Sequence, residues 1–91
     1  MKKVEIGIYN GADQVAVCST SNCSLAIRIV QEFLDFMRYE LETDSLCIKK
    51  GSMPLITVSF LSHMAIVVNG KNFSYIDGVD AVTNMLADLW G

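Results

Sequence analysis

The feature that most limits what this chain can fold into is a long helical pattern between two groups of strand-like segments. Apolar side chains recur at the spacing of one wide helical stripe from about residue 22 to residue 42. Its members are Leu25, Ile29, Val30, Phe33, Leu34, Met37 and Leu41. Ser21 and Asn22 precede the stripe, and the side-chain oxygen of either residue suits a helix N-cap. A helix this apolar is expected to pack on a sheet and to contact something else as well.

The segments before the helix leave two arrangements open. Residues 4–9 alternate apolar and polar side chains, as a half-buried strand does. Asn10 and Gly11 then favour a turn, because both residue types tolerate positive φ. Residues 14–18 either pair back as the second strand of a hairpin, which their β-propensity favours, or belong to a loop over residues 10–22.

Short strand patterns and a second helix follow the long helix. The strands are predicted over residues 46–48, 55–60, 64–68 and 73–76, and Pro54 leads the second of them. A C-terminal helix is predicted over about residues 78–90, with Asp77 as its N-cap. Because a helix separates the first strand from residues 46–48, we expect those two strands to be parallel. The later strands are joined by short turns and are expected to be antiparallel.

Together these elements predict one α/β (α+β) domain over residues 1–91. We expect a mixed sheet of four to six strands, packed by the helix at about 22–42 and the C-terminal helix at about 78–90. A chain of 91 residues can form one core without staples. Its apolar fraction of 52% exceeds the usual range for soluble domains. We therefore expect a partner to cover part of the apolar surface.

Charge and hydropathy exclude several classes of function. The net charge is −3 and lysine and arginine are not clustered, so no nucleic-acid interface is expected. No apolar run approaches the ~18 residues of a membrane span, so no membrane contact is expected. Three cysteines without a convincing signal peptide are typical of a reducing compartment, which predicts a cytoplasmic protein.

Two cysteines lie where an apolar run passes into the helical pattern. Cys23 falls in the first predicted helical turn, where unpaired N–H groups and the helix dipole stabilise a thiolate. Since the thiolate is the reactive form, Cys23 is a candidate nucleophile and Cys18 a candidate resolving thiol. In the alternative interpretation, both are small packing residues without a chemical role.

The order of these features resembles that of the small thioredoxin-like domains. The resemblance rests on a first strand, a loop with cysteines, a helix, a strand, Pro54 before the next strand, the segment Val67–Lys71 and a final helix. It implies a thioredoxin-like fold and thiol–disulfide exchange. It also implies that Met53–Pro54 is a cis-proline facing the two cysteines and supporting their chemistry.

Other chemistries find little support in the sequence. Cys18, Cys23, Cys47 and His63 together number enough ligands for zinc, but the short spacings typical of structural zinc sites are missing. Motifs for nucleophilic hydrolysis and for phosphate loops are also missing. No metal or cofactor is therefore expected.

Two functional hypotheses remain, and they belong to different classes. The favoured one is a small soluble binding or assembly module that forms a homo-oligomer, or binds a protein partner, through an apolar surface. Phe36, Tyr39 and Trp90 are its exposed aromatic candidates. The alternative is thiol–disulfide exchange by Cys23 and Cys18, so enzymatic activity stays open.

Overall fold

The computed structural model describes residues 3–37, 43–62 and 64–90. In chain order its elements are β1 Val4–Asn10, β2 Asp13–Thr20, α1 Cys23–Glu32, β3 Ser45–Lys50, β4 Met53–Phe60, β5 Ala65–Val68, β6 Lys71–Ser74 and α2 Tyr75–Trp90. A π-helical segment, Phe33–Met37, continues α1.

The six strands form one sheet in the order β2-β1-β3-β4-β5-β6, and every neighbouring pair is antiparallel. The prediction of a mixed sheet with β1 parallel to β3 is therefore wrong. The reason is that the β1–β2 hairpin reverses the chain before the helix begins. The α1 connection runs from β2 to β3, and these strands are parallel to each other, but β1 lies between them.

The β1–β2 hairpin confirms that residues 14–18 belong to a second strand. Its turn contains Gly11 at φ 60°, a conformation that glycine adopts without steric cost. The Gly11 N–H donates to both carboxylate oxygens of Asp44, at 3.1 and 3.2 Å. The Asp44 N–H donates to the carbonyl of Tyr9, and the Asp44 carbonyl accepts from the N–H of Phe60. Asp44 therefore ties the hairpin turn to β1 and β4.

The first helix begins as predicted but changes its geometry early. The Asn22 side chain accepts the N–H of Leu25 at 3.0 Å, which confirms Asn22 as the N-cap. Regular α-helix ends at Glu32 rather than near residue 42, and π-helical geometry starts at the fully buried Phe33. Residues 38–42, over which the helix was also predicted, lie outside the described residues.

The core fills the space between the helices and one face of the sheet. The sheet contributes alternate residues of its four central strands, β1, β3, β4 and β5, namely Val4, Ile6, Ile8, Leu46, Ile48, Ile56, Val58, Ile66 and Val68. The helical side contributes Ala26, Val30, Phe33, Leu34, Val82 and Leu86. α1 contacts β2 and α2, whereas α2 contacts β5 and β6. The first helix therefore lies toward the β2 side of the sheet.

The second helix starts at Tyr75, three residues before the predicted start, and β6 ends at Ser74 rather than at residue 76. The hydroxyl of Ser74 accepts the N–H of Asp77 at 3.3 Å. Ser74 is thus the capping residue in place of Asp77. Asp77 lies in the first turn, where a carboxylate interacts favourably with the helix dipole.

Gly78 allows α2 to approach β5 closely. It is buried, and a Cβ atom at this position would overlap the Ile66 side chain and lie 3.2 Å from Cβ of Phe73. Any larger residue therefore forces the helix and strand apart or displaces Ile66.

We predict that Gly78→Ala destabilises the protein by about 1–3 kcal/mol, the usual cost of overpacking a tight core. This cost exceeds the gain in helix propensity, which is up to about 1 kcal/mol. Urea denaturation followed by circular dichroism measures the change. Adding Ile66→Val, which removes the Cδ1 atom, should recover part of the loss. An unchanged midpoint for Gly78→Ala would contradict the close packing.

Candidate functional site

Cys18 and Cys23 lie on either side of the turn that joins β2 to α1. Cys18 is exposed on β2, directly opposite Ile6, so its side chain is on the helix-covered face of the sheet. Cys23 is the first residue of α1 and is half-buried. The structure thus confirms that Cys23 lies in the first turn of a helix.

Two hydrogen bonds hold the turn between these cysteines. The Thr20 hydroxyl accepts the N–H of Asn22 at 3.1 Å, and the Trp90 indole N–H donates to the carbonyl of Ser21 at 3.0 Å. Trp90 is half-buried and packs against the core, which corrects the prediction that it is an exposed contact residue. Its indole anchors the end of α2 to the start of α1. The Phe36 side chain and Tyr39 lie outside what the structure describes.

Pro54 is not brought near the two cysteines. It is exposed near the start of β4, which is separated from β2 by β1 and β3. Three strand spacings of about 4.8 Å place it roughly 14 Å away in the plane of the sheet. No peptide bond among the described residues is cis, so Met53–Pro54 is trans. The supporting role that the resemblance implies for Pro54 has no geometric support, and the chemistry of the cysteines stays a prediction.

Cys47 lies on the opposite face of the sheet from Cys18. It sits on β3 between Leu46 and Ile48, whose side chains are buried under the helices, so Cys47 points to the open face. Burial raises the pKa of the Cys47 thiol, nearby Lys49 opposes this shift, and Glu5 adds to it.

A zinc site built from all three cysteines does not form, because Cys47 is on the wrong face. Within residues 3–37, 43–62 and 64–90, no three His, Cys, Asp or Glu side chains are grouped closely enough to hold a metal ion. His63, the fourth candidate ligand, lies outside these ranges.

Edge strand β2 carries exposed apolar side chains. Val15 and Val17 are 45% and 52% exposed, and its one charged residue, Asp13, stands at its start. Natural edge strands are usually short or are blocked by charges, proline or bulges. β2 has eight residues and no proline, and its bulge, at Val15, leaves Ala16–Thr20 regular. The outer edge of this regular part is open to another strand.

A groove of about 240 Å³ runs between β2 and α1. Its lining consists of Ile6, Ile8, Ala16, Val17, Cys18, Ile29 and Glu32. Leu25 is 41% exposed and lies one helical turn before Ile29, on the same side of α1. The apolar stripe predicted for this helix therefore does not point wholly into the core. One side of the stripe, formed by Leu25 and Ile29, faces the β2 edge.

The sequence favoured a strand over a loop at residues 14–18 but could not place that strand at the edge. Strand order depends on which segments pair even though they are far apart in the sequence. No local sequence pattern shows which of these pairs form. The alternating valines, Val15 and Val17, could have indicated an edge strand. Alternating valines beside a polar turn suit a strand that has no neighbouring strand on its outer side.

A second apolar patch lies at the other side of the molecule. Met64 and Ile76 are 79% and 72% exposed, and they line a shallow groove with Ser74 and Tyr75. The Tyr75 hydroxyl donates to Asp35 at 2.6 Å, which links the start of α2 to the π-helical segment. This patch flanks β6 and is separate from the β2 edge.

Comparison of the chain with models of known protein families, with curated proteins and with solved structures finds no match. None of the described helices has the length and hydropathy needed to cross a membrane. The functional proposal therefore depends on the geometry of the chain itself.

We predict that iodoacetamide modifies Cys47 severalfold more slowly than Cys18 at pH 8, because partial burial lowers its access and raises its pKa, which lowers the thiolate fraction. Peptide mass mapping over time, at low protein concentration, measures both rates. In urea the two rates should converge, which controls for local sequence effects. Equal rates in the folded protein would contradict the placement of Cys47.

Proposed function

We propose that the protein is a binding or assembly module that self-associates through the outer edge of β2. The observation that carries this proposal is an eight-residue edge strand with exposed apolar side chains and a single charge. Adding a strand at such an edge forms main-chain hydrogen bonds and covers the exposed side chains. A second copy of the chain supplies a strand of matching length and polarity.

Two-fold symmetry fits this edge. Antiparallel pairing of two identical edge strands requires an axis perpendicular to the sheet, and that axis keeps both helix layers on the same side. The two six-stranded sheets then become one continuous sheet. Because α1 lies toward β2, the two copies of α1 stand side by side across the axis. Leu25 and Ile29 of each copy then face the other copy and lose their exposure to water.

The opposite edge of the sheet suits strand pairing less well. β6 has four residues and begins with Lys71, whose ammonium lies 5.4 Å from the centre of the Phe73 ring. Short length and lysine are two devices by which natural edge strands resist pairing. These differences favour β2 as the edge that associates.

We predict that Val17→Lys weakens self-association by at least about tenfold, equivalent to about 1.4 kcal/mol, because it places a charge on the pairing edge. Sedimentation velocity over a range of concentrations measures the dissociation constant. The matched control is Ile76→Lys, the same kind of change at an exposed position far from β2, which should associate like the unmodified chain. Circular dichroism checks that both variants fold.

Two outcomes would contradict the proposal. One is an unmodified chain that stays monomeric at every concentration. The other is equal weakening by both lysine variants, which would show a general charge effect rather than an interface at β2.

A second candidate function is thiol–disulfide exchange, supported by the position of Cys23 as the first residue of α1. The Cys23 thiolate would attack a substrate disulfide and release one thiol. Exposed Cys18 would then attack the mixed disulfide, release the second thiol and leave a Cys18–Cys23 disulfide.

This candidate predicts that Cys23 is alkylated faster than the other two cysteines and that Cys23 and Cys18 form a reversible disulfide within one chain. Alkylation rates, read by peptide mass mapping, measure the first property, and mass mapping after mild oxidation measures the second. Cys18→Ser should leave the rate of Cys23 unchanged and abolish the disulfide. Slow, uniform alkylation of all three cysteines would reject the candidate.

A further inference from the structure

We propose that the two copies pair with Cys18 at the two-fold axis, directly opposite Cys18 of the partner copy, so that a small disulfide oxidant locks the dimer covalently. This inference rests on the proposed self-association through β2. It specifies the register of the two strands and a redox reaction that follows from that register.

The two faces of the sheet restrict the register. A two-fold axis perpendicular to the sheet leaves opposed side chains on the same side of the joined sheet. Side chains alternate between faces along a strand, so opposed residues must differ by an even number of positions. The axis therefore passes beside one residue of β2 and not between two consecutive residues.

The bulge in β2 selects that residue. Opposite β1, Ile8 pairs with Ala16 and Tyr9 with Gln14, so Val15 is the extra residue and Ala16–Thr20 is regular. Cys18 is the middle of the regular part. Centring there pairs Ala16 with Thr20 and Val17 with Ser19, so the whole regular part is used. Centring on Ala16 or Val17 would set the bulged Val15 against a regular residue, and centring on Ser19 would shorten the pairing.

Charge supports the same register. With Cys18 at the axis, Asp13 extends past the paired residues toward the start of α1 in the partner copy. The first turn of α1 contains no acidic residue, so its own side chains do not complement the positive end of the helix dipole there. A carboxylate arriving from the partner copy complements that end.

The opposed cysteines have the separation that a disulfide needs. Directly opposed residues of antiparallel strands have Cα atoms about 4.5 or 5.5 Å apart, within the 4.4–6.8 Å that disulfides span. Cys18 is free and exposed on a single copy. Its thiolate attacks a small disulfide, forms a mixed disulfide and releases one small thiol. The partner's Cys18 thiolate then attacks the Cys18 sulfur and releases the second, so two protein thiols are oxidised and one small disulfide is reduced to two thiols.

The test uses variants of the 91-residue chain that keep a single cysteine. One variant keeps Cys18 and carries Cys23→Ser and Cys47→Ala. The matched control adds Cys18→Ser and Val17→Cys, which moves the thiol by one position on the same strand. In the proposed register, the two copies of residue 17 lie two positions out of line, roughly 8–9 Å apart between Cα atoms and beyond disulfide reach.

Both variants are incubated with glutathione disulfide at a concentration at which the unmodified chain associates, and covalent dimer is followed on non-reducing gels. We expect the Cys18 variant to form covalent dimer at least about tenfold faster than the Val17→Cys control, since disulfide formation depends on geometry. Equal or faster cross-linking of the control would overturn the register.

Sedimentation of the reduced variants separates the two levels of the proposal. A reduced Cys18 variant that dimerises but cross-links slowly would overturn the register and leave self-association through β2 intact. Reduced variants and unmodified chain that are all monomeric would overturn the proposed function and the register with it.

Discussion

The position of β1 between β2 and β3 is the constraint on which the rest of the molecule depends. Its Val4, Ile6 and Ile8 are at most 7% exposed, and they are flanked by hydrogen-bonded strands on both sides. Because the hairpin places β2 outside β1, the connection through α1 must pass over β1 to reach β3. That passage lays α1 over the β2 side of the sheet and leaves β2 as an edge. The exposed valines and the neighbouring groove are consequences of this single order.

Most of the helices and strands could be predicted from local sequence patterns. The errors concern features that depend on contacts between residues far apart in the sequence. The alternation in β1, the cap at Asn22 and the C-terminal helix were readable because each depends on residues a few positions apart. The order of the strands could not be predicted in this way. The direction of β3 relative to β1 depends on whether β1 forms a hairpin with residues 14–18, and the sequence left that question open. Trp90 was misjudged because its partner, the Ser21 carbonyl, is far away along the chain. The α1 stripe was misjudged because Ala26, a small residue, occupies the centre of the buried face.

The site shows the same division between local and long-range information. Cys23 was predicted at a helix start, and the cap and the turn place it there. Pro54 was placed beside the cysteines only through a resemblance in element order, and the sheet separates it from them by two intervening strands. The apolar surplus of the sequence predicted an apolar surface that a partner covers, and that stays a prediction. Its location could not be predicted, because it depends on which strand lies at the edge and which side of α1 the core leaves uncovered.

The two functional hypotheses compete for one thiol. A dimer joined at β2 brings Cys18 against the partner copy and removes it from contact with a large substrate. Thiol exchange requires the opposite, since Cys18 must stay free to resolve a mixed disulfide at Cys23. The backbone favours the first arrangement, because Cys18 lies within a regular strand that ends two residues later at Thr20, whereas Cys23 lies beyond a turn held by two hydrogen bonds. A disulfide between Cys18 and Cys23 of one chain therefore depends on the conformation of that hydrogen-bonded turn. Pairing of Cys18 across a two-fold axis requires no change in the conformation of β2.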